Sequence, residues 1–129
     1  MAIREVIFRG KRTDNGEWIE GSLLGIDWCD KPSTYSITPN TPVSVFYSVI
    51  PETVGQYTGL TDKNGVRIFE GDILTIENEG VYAAIKYNES NAAFYVEDED
   101  HEDYLGEAWE TDVVISGNIH DNPELLQKI

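Results

Sequence analysis

Residues 49–74 read VIPETVGQYTGLTDKNGVRIFEGDIL, and two short runs of β-type residues in this stretch flank Asp62-Lys63-Asn64-Gly65. An Asn-Gly pair between alternating apolar segments is the strongest short-range hairpin signal, because glycine takes positive φ without steric cost. The stretch therefore predicts a hairpin centred on Asn64-Gly65, its first arm being Thr53–Leu60. Gly55 and Gly59 in that arm predict bulges or close backbone approach. Glu70-Gly71-Asp72 then breaks the chain and lets a new strand start at Ile73, where Asp72 can accept local main-chain N–H groups. These are demands of backbone geometry. The block holds no nucleophile–base pair, no metal cluster and no phosphate loop.

Working outward, Arg4–Arg9 alternates as a strand, Thr13-Asp14-Asn15-Gly16 is a second Asn-Gly turn, and Glu17–Leu24 returns as a strand carrying Trp18. Residues 1–24 thus predict an N-terminal hairpin. Its bases Arg9, Lys11 and Arg12 read as a solvated tip, because no exposed aromatics interleave them. Ser33–Thr38 predicts a further strand, and Val43–Ile50 a buried one. Downstream, Ile73–Glu77, Val81–Tyr87 and Ala92–Val96 form a meander of short strands. Asp112–Ile119 is the last strand, with Val113, Val114 and Ile115 mainly buried. Asn122 reads as an N-cap, Pro123 as a first helical residue and Glu124 as an acid suited to the positive helix end. The fold class is mainly β: an N-terminal hairpin plus a curved antiparallel sheet or small SH3-like barrel, with one short C-terminal helix. The chain reads as a single domain over 1–129, divisible into halves 1–50 and 51–129 that share a core.

A chain of 129 residues with three Trp, seven Tyr and four Phe can bury a core without staples. Its one cysteine, Cys29, cannot form an internal disulfide, which fits a reducing compartment. No apolar run approaches a membrane span, and MAIREVIFRGKR lacks an apolar signal core, so a cytoplasmic location is expected. Net charge is −15, unevenly spread. Residues 1–60 hold seven acids and five bases; residues 61–129 hold seventeen acids and four bases. Phosphate neutralisation needs clustered Lys and Arg, so direct nucleic-acid binding is not expected.

The densest acidic run, EDEDHED at 97–103, surrounds His101. As a calcium loop counted from Asp98 it fails, since Asp103 stands where glycine is needed and Trp109 where the bidentate acid belongs. The run reads as a solvated, self-repelling surface loop. Asp27 and Asp30 flank Cys29 and would raise its thiol pKa, which makes it a structural cysteine; neighbouring Trp28 reads as a core anchor. His101 and His120 lie too far from Cys29 or any distinctive serine to suggest a triad. No catalytic, cofactor-binding or metal-binding residue is assigned, and no cofactor is expected.

Three blocks taken together, VIFRGKRTDNGEWIEG at 6–21, ETVGQYTGLTDKNGVRIFEGDIL at 52–74 and ISGNIHDNPELL at 115–126, resemble the YopX family of small phage and prophage proteins. The resemblance spans nearly the whole chain and leaves residues 25–48 and 88–110 as variable stretches. It implies a phage or prophage origin, a mainly β fold and a host-cytoplasmic location, and it carries over no activity and no catalytic residues. The expected function is that of a non-enzymatic accessory protein working by protein–protein contact as a homo-oligomer. The alternatives are an acidic nucleic-acid mimic that blocks a host DNA- or RNA-binding protein, and a small hydrolase using paired carboxylates.

Overall fold

The structure is a computed structural model and describes residues 6–26, 34–39, 45–76, 82–97, 102–104 and 113–126. It divides into two compact units, Met1–Tyr57 and Thr58–Ile129. Both are antiparallel β structures.

In the first unit, β1 (Phe8–Lys11) and β2 (Trp18–Ile26) form the expected N-terminal hairpin. The connection is a four-residue loop, Thr13–Gly16. Arg12 N–H reaches Glu17 O at 2.9 Å, Gly16 N–H reaches Arg12 O at 3.0 Å, and Gly16 has φ +72°. β3 (Thr34–Thr38) pairs with β2, and β4 (Tyr47–Val49) pairs with β3. A 3-10 turn over Pro51–Thr53 leads into β5 (Gly55–Thr61), whose first residues return to β1 through Phe8↔Gln56 and Arg9↔Gly55. Ile37 and Val49 are the most deeply buried apolar residues here. Val49 packs over Gly10, where a Cβ would lie 3.1 Å from Val49 Cβ; a Cβ on Gly21 would overlap the Thr38 carbonyl on the paired strand.

This sheet curls strongly. Val49 makes an isolated bridge to Arg12, flanked by Thr13 N–H to Ser48 O (2.9 Å) and Ile50 N–H to Lys11 O (2.8 Å). Thr53 fastens the bend, accepting Lys11 N–H at 2.9 Å and donating to Ile50 O at 2.6 Å. An isolated bridge is not a ladder, however, and β4 is only three residues long. The SH3-like closed barrel offered by the sequence is therefore not formed. The segment Val43–Ile50 also departs from expectation: Val45 and Phe46 are exposed, and only Val49 is buried. Residues 43–44 lie outside the described residues.

In the second unit, β6 (Arg67–Phe69) forms a hairpin with the end of β5. The connection is a tight turn closed by Gly65 N–H to Asp62 O (3.0 Å), with Gly65 in the left-handed region at φ +81°. A five-stranded sheet follows in the order β10-β9-β8-β7-β11. Its strands are β7 (Asp72–Ile76), β8 (Tyr82–Asn88), β9 (Ala93–Glu97), β10 (Glu102–Tyr104) and β11 (Val113–Asn118). Period-2 alternation puts Leu74, Ala83, Ile85, Val96 and Val113 on one face, where they pack with Ile68. Burying each large aliphatic of this set contributes about 1.5–3 kcal/mol. Ile73 and Ala84, on the opposite face, are buried as well, which is why β7 and β8 read as apolar runs rather than alternating ones. Val114 and Ile115 are only partly buried, and the register slips between Ile115 and Gly117, leaving Ser116 as a bulge.

Two further expectations are corrected. Pro123–Leu126 is a single 3-10 turn, not an α-helix. Asn122 occupies the N-cap position, its C=O accepting Leu125 N–H at 3.1 Å, but its side-chain oxygen turns back to accept Asn118 N–H at 3.2 Å, tying the turn to β11. The acidic run is not wholly a loop either: Glu97 ends β9, and Glu102 and Asp103 belong to β10. Residues 98–101 lie outside the described residues.

Candidate functional site

The polar groups of the motif blocks converge in the second unit. Asp62 is buried and holds three main-chain donors: Asn64 N–H (2.8 Å) and Val66 N–H (2.9 Å) on Oδ1, and Ile115 N–H (3.2 Å) on Oδ2. Lys63 N–H adds a bond to Val113 O at 2.9 Å. The turn thus covers the outer edge of β11, a position that would otherwise expose unpaired main-chain groups. Asp72, 1% exposed, accepts Phe69 N–H at 2.7 Å, which is the local role expected of it. Gly71 bridges two segments, donating to Ile85 O and accepting from Ile119 N–H, both at 2.9 Å. A Cβ there would meet the His120 ring at 3.7 Å, and φ is +93°.

The C-terminal motif is a chain of asparagine turns. Asn118 Oδ1 accepts His120 N–H (3.0 Å) and Asp121 N–H (2.9 Å), and its amide donates to Asp121 Oδ2 at 3.1 Å. Gly117 leaves room for Asn122, whose Oδ1 would stand 2.5 Å from a Cβ at that position. Chemically, the Asp62 carboxylate is committed to three N–H groups, and general acid–base work needs a carboxyl that can reach a substrate proton. At this junction between motif blocks the carboxylate holds main-chain groups in place.

The first unit holds a cluster that the sequence pattern did not reveal. Arg9 lies 4.7 Å and Lys11 5.6 Å from the ring centroid of Trp18, on the paired strand. Arg12 lies 4.2 Å from the Tyr47 ring centroid and makes a bidentate pair with Asp14, Nε to Oδ1 at 2.9 Å and Nη2 to Oδ2 at 2.6 Å. That hydrogen bond holds the Asp14 carboxyl below its usual range and raises Arg12. The hairpin tip is solvated as expected, residues 13–17 being exposed, but its bases lie against the partly buried Trp18 and Tyr47, which the sequence reading did not foresee. The hairpin register, Lys11↔Trp18 and Arg9↔Glu20, was the available signal for Trp18. Tyr47 comes from β4 and had no local signal. A depression of about 400 Å³ in the same unit is lined, among the described residues, by Tyr35, Pro51, Glu52 and Val54, with no second carboxylate among them.

Of the other residues singled out from sequence, Trp28, Cys29 and His101 lie outside the described residues. Glu97 pairs with Lys86 at 2.9 Å, so the acidic run begins in an ion pair. Among the described residues, no group of three or more His, Cys, Asp or Glu is arranged to hold a metal ion. No helix among them is long and apolar enough to cross a membrane.

A family model described as YopX protein matches residues 7–127. The chain belongs to the YopX family. This YopX chain is also similar to a solved structure, the crystal structure of protein EF1440 from Enterococcus faecalis. The similarity has a TM-score of 0.59 and 26% sequence identity, and covers 95% of this chain and 99% of that one. No curated protein matches the chain. The two sheets and the motif junction thus lie within the family match, since Asp62, Gly71, Asp72, Gly117 and Asn122 all fall inside residues 7–127.

Proposed function

We propose that this YopX protein is a non-enzymatic accessory protein, of phage or prophage origin, that acts in the host cytoplasm by protein–protein contact as a homo-oligomer. The observation that carries this reading is the set of large apolar side chains left in solvent. Phe46 is 54% and Leu24 47% exposed in the first unit, and Val66 is 53% exposed in the second. The commitment of Asp62 and Asp72 to main-chain donors supports a non-catalytic role. The test is the solution mass by light scattering at micromolar concentration, for the wild type and Phe46→Ser. A multiple of the chain mass that falls in the variant is expected; the mass of one chain in the wild type overturns the homo-oligomer.

A second reading, an acidic mimic that occupies the nucleic-acid cleft of a basic host protein, is favoured by the seventeen acids after residue 60. It requires binding to such a protein that weakens steeply with salt. Salt-insensitive binding, or none, removes it.

A further inference from the structure

The chain contains two Asn-Gly pairs, Asn15-Gly16 and Asn64-Gly65, and the structure treats them differently. Both glycine N–H groups are bonded at 3.0 Å, to Arg12 O and Asp62 O, so that restraint is common to both. The asparagine side chains are not alike. Asn15 is held at both ends, its Oδ1 accepting Glu17 N–H at 2.9 Å and its amide donating to Glu17 Oε2 at 3.3 Å. The Asn64 side chain is exposed and makes no hydrogen bond among the described residues; only its main-chain N–H is engaged, by Asp62.

We infer that Asn64 is a site of spontaneous covalent modification, deamidation through a cyclic imide, and that Asn15 is protected by Glu17. Hydroxide takes the Gly65 N–H proton, and the nitrogen bonds to Asn64 Cγ. The Cγ–Nδ2 bond breaks, and ammonia leaves with a proton returned by water. Water then opens the five-membered imide. When water adds at Cγ, the Cγ–N bond breaks, the Gly65 nitrogen stays on the main-chain carbonyl and aspartate results; when it adds at the main-chain carbonyl, that C–N bond breaks, the nitrogen stays on Cγ and isoaspartate results. Glycine at the following position offers no side chain to hinder the attack, and an exposed turn admits water and hydroxide. The isoaspartyl product carries the main chain through Cβ, lengthening the loop between Asp62 and Val66 by one methylene. Asp62 Oδ1 bonds the N–H groups at both ends of that path, so the modification loosens the turn that covers β11.

The experiment incubates the full chain in mildly alkaline buffer and follows each Asn-Gly peptide by mass spectrometry for the amide-to-acid mass increment. Conversion at Asn64 several-fold faster than at Asn15 is expected, abolished at that position by Asn64→Gln. Glu17→Ala removes the amide-side bond and keeps the main-chain one, so it should accelerate Asn15 part of the way toward the Asn64 rate. Equal rates at the two sites in the folded wild type, or a chain unfolded in urea in which Asn64 still outpaces Asn15 by the same factor, overturns the inference. The second result would locate the difference in local sequence rather than in side-chain restraint.

Discussion

The carboxylate of Asp62 accepts the main-chain N–H of Ile115 at 3.2 Å, joining a hairpin turn to a strand 53 residues later. The same side chain bonds two N–H groups of its own turn. One residue therefore shapes a local turn and closes a sheet edge at the same time.

Asp62→Ala removes both acceptor oxygens and with them three hydrogen bonds. Each buried donor left unpaired costs roughly 1–3 kcal/mol, and water can replace the two bonds within the exposed turn, so a net loss of about 2 kcal/mol is expected. The urea midpoint should fall accordingly. Hydrogen exchange at the Ile115 amide should accelerate more than at Ile85, in the sheet interior. Unchanged protection at Ile115 would show that Asp62 does not hold it.

Positive φ gives two substitutions of opposite sign. Gly65 sits at φ +81° with no atom within 4 Å of the place a Cβ would take, so Gly65→Val costs conformational strain alone. That strain is about 1 kcal/mol or more. Ala92 sits at φ 52° in the turn before β9, where an L side chain is strained. Relief of that strain outweighs the added unfolded-state entropy of glycine, so Ala92→Gly should stabilise by roughly 0.5–1 kcal/mol and raise the urea midpoint. A midpoint lowered by Ala92→Gly would contradict the left-handed assignment.

Gly117→Ala places its Cβ 2.5 Å from Asn122 Oδ1 and 2.7 Å from Cγ. Overpacking of this kind costs about 1–3 kcal/mol. Asn122→Ala alone loses the bond to Asn118 N–H, but in the double variant it also removes the two shortest contacts, leaving only the Asn122 Cβ at 2.9 Å. The double variant should be less destabilised than the sum of the singles, as directly contacting residues couple. Strict additivity of the three urea midpoints would separate the two residues.

The Arg12–Asp14 pair predicts a pH effect of known sign. Arg12 donates to Asp14 and lowers its carboxyl pKa, with Coulomb attraction adding to the effect. A carboxyl depressed in the folded state contributes stability above its unfolded pKa and loses it as pH falls through the folded value. The pair is solvated, so the expected readout is the titration rather than the midpoint of unfolding. By NMR, the Asp14 carboxyl should titrate below an ordinary aspartate, and Arg12→Gln should return it to the ordinary range. An unshifted Asp14 in the wild type would mean that the bidentate pair is not held in solution.

Much of the local geometry was legible in the residues alone. Gly16, Gly65 and Gly71 all take positive φ at places where the sequence demanded a turn or break, because only glycine adopts that region without cost. Asp72 bonds the neighbouring main chain, a partner only three positions away. The contacts that complete the structure were not legible in the same way. Asp62 reaches Ile115, Tyr47 meets Arg12, and Val49 bridges Arg12 across long stretches of chain. The helix read from Asn122-Pro123-Glu124 gave way to a 3-10 turn, because the capping side chain bonds β11 instead. Glu102 and Asp103, read as a repelling loop, form a strand, because pairing with Val96 and Glu97 supplies main-chain hydrogen bonds that a charge pattern does not reveal. By itself, then, the sequence determined where the chain turns and most of the segments that extend, both matters of local sterics, but not the pairing of β10. Only the tertiary structure decided what each polar side chain bonds, because those partners are selected by packing between segments far apart along the chain.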